Sequence, residues 1–175
     1  MNCPKCNERL FVISNFCPEC GSKVELPEVL SSEVYEEEYL KGLSQKELLE
    51  LEEKTHNPAV QYYLGEMYKR DDYFSIEAAD LFQISAIHGY TKSQTKVGDM
   101  YSDGNLIPKD YRRAFKWYEK AAEQGDAEAQ CHLGFMYKYG RGAPKDPQKS
   151  LEYFKKSAAQ GFDVAQEQLE KLKEN

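Results

Sequence analysis

Leu133-Gly134-Phe135-Met136-Tyr137 has two earlier counterparts in the chain, Val97-Gly98-Asp99-Met100-Tyr101 and Leu64-Gly65-Glu66-Met67-Tyr68. Each block follows a glutamine at a fixed offset: Gln61, Gln94 or Gln130. Downstream, Ala121-Ala122-Glu123-Gln124-Gly125 matches Ser157-Ala158-Ala159-Gln160-Gly161 and, more loosely, Ser85-Ala86-Ile87-His88-Gly89. The closing glycines Gly89, Gly125 and Gly161 stand thirty-six residues apart. A fixed period of this length marks an array in which each unit buries its apolar face only against its neighbours.

Each unit reads as a helix, a turn and a second helix. A glycine inside a helix costs about 1 kcal/mol relative to alanine. Gly65, Gly98 and Gly134 at one register therefore imply a second helix pressed closely against the first. Turns follow at Ser102-Asp103-Gly104-Asn105-Leu106-Ile107-Pro108 and at Tyr139-Gly140-Arg141-Gly142-Ala143-Pro144. Asp110 and Asp146 then occupy N-cap positions, with Pro147 at the first helical position of the last copy. The second helices bury Ala114, Trp117, Tyr118, Ala121 and Ala122, or Leu151, Tyr153, Phe154 and Ala158. They end on the glycine of a left-handed C-cap. Tyr68, Tyr101 and Tyr137 share a register and read as packing residues. Ser44-Gln45-Lys46-Glu47 is a capping box opening a helix with Leu48, Leu49 and Leu51. At the other end Asp163-Val164-Ala165-Gln166 begins a partial unit that runs into charged residues.

These residues resemble the Sel-1-like repeat, a relative of the tetratricopeptide repeat, over about residues 58–162. Residues 127–162 fit that pattern almost throughout. The first copy is three residues shorter in its turn and reads Lys69-Arg70-Asp71-Asp72-Tyr73 where the others have glycine. The expected fold is all-α: a right-handed α-solenoid of helix-turn-helix repeats. Its expected parts are a capping helix at 44–57, repeats at 58–90, 91–126 and 127–162, and a C-terminal capping helix at 163–175. In related superhelices the first helix of each unit lines the groove that receives a peptide. The resemblance thus points to Tyr63, Lys96 and His132, with Glu66, Asp99 and Phe135, as the residues facing a protein partner on a concave face. Phe135 stands out because its counterparts are acidic; it reads either as a groove contact or as one exposed apolar side chain.

The N-terminal segment carries a separate signal. Cys3-Pro4-Lys5-Cys6 and Cys17-Pro18-Glu19-Cys20-Gly21 supply two Cys-x-x-Cys pairs, the ligand set of a tetrahedral structural zinc site. The two-residue gap lets one tight turn aim both sulfurs at one ion. Pro4 and Pro18 pre-set that turn, and Gly21 permits positive φ beneath a thiolate. Two disulfides are the competing reading. The opening residues contain no apolar stretch for export, so a cytoplasmic chain with reduced thiols is expected. Iron is the alternative metal, since four thiolates suit it too. Leu10-Phe11-Val12-Ile13 and Phe16 between the pairs read as a short β-hairpin that folds around its metal. The pattern resembles the short zinc ribbon, expected at 1–23 with one structural zinc.

The net charge of −7 is concentrated in one place. Residues 25–54 carry three basic and ten acidic side chains, whereas residues 55–175 are nearly balanced at seventeen and eighteen. An acidic linker is therefore expected at 24–43, either as a solvated helix ending at Gly42 or as a tether. No block has the positive footprint of a nucleic-acid binder, and no apolar run spans a bilayer. Neither nucleic acid nor membrane is an expected partner.

Catalysis finds little support. His56, His88 and His132 stand apart from any nucleophile motif, and no P-loop or His-Glu-x-x-His sequence occurs. Asp71 and Asp72 read as solvated turn residues. Cys131, the leftover cysteine, reads as a part-buried free thiol. The sequence thus points to a non-catalytic adaptor that binds a protein partner. The alternative is a zinc-ribbon factor that contacts nucleic acid or the ribosome while the solenoid recruits cargo.

Overall fold

The computed structural model describes residues 37–69, 75–104 and 106–173. Cys3, Cys6, Cys17 and Cys20, the acidic residues before 37, and the Asp71-Asp72 pair lie outside the described residues. All regular structure among the described residues is α-helical. The chain divides into two units, Met1–Ser93 and Gln94–Asn175.

In the first unit lie α1 (Glu37–Gly42), α2 (Gln45–Thr55), α3 (Pro58–Tyr68) and α4 (Ile76–Ile87). Polar side chains set the helix starts. The Ser44 hydroxyl accepts the Glu47 backbone N–H, and the Glu47 carboxylate accepts the Ser44 N–H at 2.8 Å, completing the capping box. Asn57 caps α3 with Pro58 in its first turn, and Ser75 caps α4. Each cap satisfies a helical N–H that would otherwise lack a partner. Leu40, Leu48, Val60, Tyr63 and Leu64 then form one buried cluster. Leu40 is fully buried, so the helical end of the acidic stretch is anchored on this core instead of being solvated all round. The Ser85 hydroxyl donates to the Pro58 carbonyl, tying α4 back to the start of α3.

Helix α5 (Thr91–Asp103) begins in the first unit and runs into the second, which continues with α6 (Tyr111–Glu123), α7 (Ala127–Tyr139), α8 (Pro147–Ala158) and α9 (Asp163–Lys173). Asp110 accepts the N–H groups of Arg112 and Arg113, and Asp146 those of Gln148 and Lys149. The two aspartates also donate their own N–H groups to the carbonyls of Tyr101 and Tyr137, at 2.9 and 3.0 Å. The turns before α6 and α8 are thus closed by the same pair of interactions. Gly125 and Gly161 follow α6 and α8 with φ of 93° and 84°, the left-handed region where a side chain is strained. Helix α9 covers the end of the unit: Ala165 is buried against Cys131 and Phe154, with Phe162 and Leu169 beside it.

The glycines inside the first helices mark where the second helices press in. A Cβ at Gly65 would stand 2.9 Å from the Phe82 ring, one at Gly98 2.5 Å from Tyr118, and one at Gly134 2.7 Å from Phe154. All three rings are 0–1% exposed and have no room to retreat. Alanine would gain about 1 kcal/mol of helix propensity. Overpacking a filled core costs about 1–3 kcal/mol, so the contact decides the sign. Gly98→Ala is therefore expected to lower stability by up to about 2 kcal/mol, measured by urea denaturation. An increase in stability would show that the ring does not need the bare backbone.

Candidate functional site

The six first-helix positions selected from the sequence fall into two local settings. In the first unit Tyr63 is only 8% exposed and meets the edge of Tyr62 at 5.2 Å between ring centroids. Glu66 is half-buried, and its Oε1 has no hydrogen-bond partner among the described residues. With Leu40, Lys41, Met67 and Lys92 these residues line a pocket of about 400 Å³. The Lys92 ammonium pairs with Glu37 beside it and holds that carboxyl below its usual range.

In the second unit Lys96 and Asp99 come from α5, and His132 and Phe135 from α7. The structure brings the first three together around a fourth residue, Tyr118 of α6. The Tyr118 hydroxyl donates to Asp99 Oδ1 at 2.8 Å. His132 Nε2 lies 3.4 Å from the same oxygen, and Lys96 Nζ 3.8 Å from Oδ2. The His132 ring stacks on the Tyr118 ring at 4.6 Å and 12°. Burial raises the Asp99 carboxyl above its ordinary range, against the opposing pull of His132, Lys96 and the Tyr118 hydroxyl. Burial and the Asp99 carboxylate push the Tyr118 hydroxyl far upward in turn, so it stays a donor at neutral pH. Phe135 makes an edge contact with Phe154 at 5.0 Å and lies parallel to Tyr139 at 6.3 Å. It is half-buried, with one side in the α8–α9 cluster.

This arrangement is suited to holding a surface in shape. Asp99, Glu128 and His132 present ligand atoms within 4.8 Å of one another. Asp99 already accepts the Tyr118 hydroxyl and faces Lys96 and His132, which makes it a polar tie between α5, α6 and α7. Cys131 is a buried free thiol. Burial first, and Glu128 second, push it up to about 11, so it remains protonated at neutral pH. No described helix is long and apolar enough to cross a membrane.

Sequence reading assigned Tyr118 to the core and missed its polar end. A signal was present: Phe82, Tyr118 and Phe154 share one register, as do Glu66, Asp99 and Phe135. The copy with the hydroxyl has the aspartate acceptor, and the copy with Phe154 has Phe135. A helix-to-helix ladder recurs as well, with the Gln124 amide donating to Gln94 at 2.7 Å and the Gln160 amide to Gln130 at 2.9 Å.

The Sel1 repeat model matches residues 91–126 and 127–162. The crystal structure of a Sel1 repeat protein from Oxalobacter formigenes is 30% identical over 72% of this chain and 96% of its own, with a TM-score of 0.63. The chain belongs to the Sel1 repeat family. Its fold is accordingly the all-α helical repeat solenoid of that family. A protective antigen of uropathogenic Escherichia coli with an SLR fold is 33% identical over 71% of this chain and 27% of its own, with a TM-score of 0.65. Helicobacter pylori cysteine rich protein B shares the fold at 21% identity and a TM-score of 0.55, over 71% of this chain and 96% of its own. Chitin synthase regulatory factor 3 of Schizosaccharomyces pombe is 35% identical over 69 residues, which are 36% of this chain and 7% of that protein.

Because burial raises the Asp99 carboxyl, the native chain binds more protons than the unfolded chain just above the ordinary aspartate range. The contribution of Asp99 to stability therefore falls as pH rises through that window. Asp99→Asn cannot ionise and keeps an acceptor for Tyr118. Its stability relative to wild type is expected to increase as pH rises from the ordinary aspartate value through the raised one. Denaturation midpoints across that range test this; a difference independent of pH contradicts it.

Proposed function

We propose that this Sel1-repeat chain is a cytoplasmic, non-catalytic adaptor that takes a protein or peptide partner on the concave face of its solenoid. Sel1-repeat proteins are generally protein-interaction scaffolds. The supporting observation is that a fixed glycine–ring frame carries different chemistry at the groove positions of successive copies. Tyr63, Lys96 and His132 share one position, and Glu66, Asp99 and Phe135 the next. Invariant packing beneath varied side chains is how a repeat surface acquires selectivity. The Tyr118–Asp99–His132 tie would hold the rings and charges of the second unit in place before a partner arrives, which limits the entropy lost on binding.

At the N-terminus Cys3, Cys6, Cys17 and Cys20 would hold one structural zinc in a ribbon joined by the acidic stretch to the repeats. What supports this is the spacing of the two Cys-x-x-Cys pairs. Four protein ligands leave no open position on the ion, so its contribution is to folding.

Affinity capture with the full chain tests the adaptor. A partner retained by wild type is expected to be lost on Phe135→Asp and weakened on Lys96→Glu. Undiminished capture by both variants contradicts the groove assignment. Metal analysis of the full chain is expected to give one zinc per molecule, released by Cys3→Ser combined with Cys17→Ser. Absence of metal, with the four thiols oxidised, would favour disulfides.

A further inference from the structure

The loop end of the second unit forms a positive, aromatic-walled hollow on an otherwise acidic chain. Residues 102–113 and 138–149, the turns before α6 and α8 with their flanks, carry seven basic side chains and three acidic ones. Two of the three, Asp110 and Asp146, are engaged in capping α6 and α8. Arg141 lies over the Tyr111 ring at 5.3 Å and over the Tyr139 ring at 5.4 Å. Lys109 lies over Tyr111 at 5.5 Å and Lys138 over Tyr139 at 5.6 Å. Tyr139 is 55% exposed, and Phe135 runs parallel to it. Arg141 has no carboxylate partner among the described residues. Tyr111, His132, Phe135, Met136, Tyr139 and Arg141 enclose a pocket of about 220 Å³. A wider hollow of about 690 Å³ shares Tyr111 and adds Lys109 and Arg112.

We propose that this pocket binds an acidic peptide segment bearing one aromatic or bulky apolar side chain. The side chain enters beside Phe135 and Tyr139, while flanking carboxylates pair with Arg141, Lys109 and Arg112. Arginine offers a planar fork matched to a carboxylate, and cation–π contact with two rings holds that fork near them in advance. Aromatic and arginine side chains around a small cavity are the usual anchors of a protein interface. The cavity is smaller than the sites that take drug-sized molecules, which suits a single side chain. The net charge of −7 opposes a long polyanion that must run beyond the patch, whereas a short peptide need only meet the patch itself. The proposal rests on the adaptor reading and specifies the chemistry of its partner.

The test uses the full chain and fluorescence anisotropy with a short fluorescein-labelled peptide of Glu and Asp around one central Phe. Saturable binding is expected, weaker by roughly tenfold or more with Arg141→Gln or Tyr139→Ala. Both positions are exposed, and circular dichroism verifies that each variant remains helical. Replacing the acidic residues of the peptide by Lys, or its Phe by Ser, is expected to reduce binding to a similar degree. Equal affinity of Arg141→Gln and wild type overturns the proposal, as does equal affinity for the Lys peptide. A single-stranded oligonucleotide that displaces the peptide and binds more tightly also overturns it, assigning the patch to nucleic acid. A captured protein partner that survives Arg141→Gln but not Phe135→Asp removes this acidic specificity and leaves the adaptor reading standing.

Discussion

The helical hairpin of each repeat depends on a missing side chain. Gly65, Gly98 and Gly134 leave bare backbone on the first helix, and the rings of Phe82, Tyr118 and Phe154 lie against it. The close approach costs helix propensity at one residue and returns a large buried ring at that level of the stack. Small residues elsewhere, among them Ala79, Ala114, Ala121 and Ala165, are likewise fully buried and keep neighbouring helices near. Because the lock recurs in each copy, the frame is insensitive to what stands on its other positions. The hydroxyls of Ser85 and Ser157 reinforce it by reaching back to the carbonyls of Pro58 and Ala127.

That insensitivity is what allows chemistry to vary along the array. Beside the lock, the ring of each second helix and the residue at the 66/99/135 register change in step. Tyr118 gives its hydroxyl to Asp99, whereas Phe154 meets the Phe135 ring. In the first unit Phe82 offers no hydroxyl, and Glu66 Oε1 is buried without a hydrogen-bond partner among the described residues. Three copies of one scaffold thus present a buried carboxylate, a hydrogen-bonded polar cluster and an aromatic face. The last of these adjoins the rings that surround Arg141.

Much of this was legible in the chain because it rests on period and on residues with strong local preferences. The spacing of Gly89, Gly125 and Gly161 defined the units, the capping box at Ser44 and the caps at Asp110 and Asp146 defined helix starts, and the internal glycines announced close packing. Side-chain pairings between elements were harder to read. Tyr118 fits a core aromatic equally well with or without a buried acceptor, so its bond to Asp99 could be inferred only by comparing copies. Leu40 was obscured by the surrounding glutamates, whose charge suggests a solvated segment although one leucine suffices to anchor a helical turn. Arg141 sits in a turn whose glycines fix its position, and its two tyrosines come from different helices, Tyr111 at the start of α6 and Tyr139 at the end of α7. The thiolate pairs of the N-terminus are strong in sequence but lie outside the described residues.

The most direct test of the glycine–ring lock is a double-mutant cycle on the full chain, with Gly134→Ala and Phe154→Leu made singly and together. If the ring lies on the backbone of Gly134, the smaller leucine makes room for the added methyl. The double variant should then be more stable than the sum of the single effects predicts, by about 1 kcal/mol. Strict additivity of the two losses would contradict the account, because it would mean that the bare backbone and the ring do not share one contact.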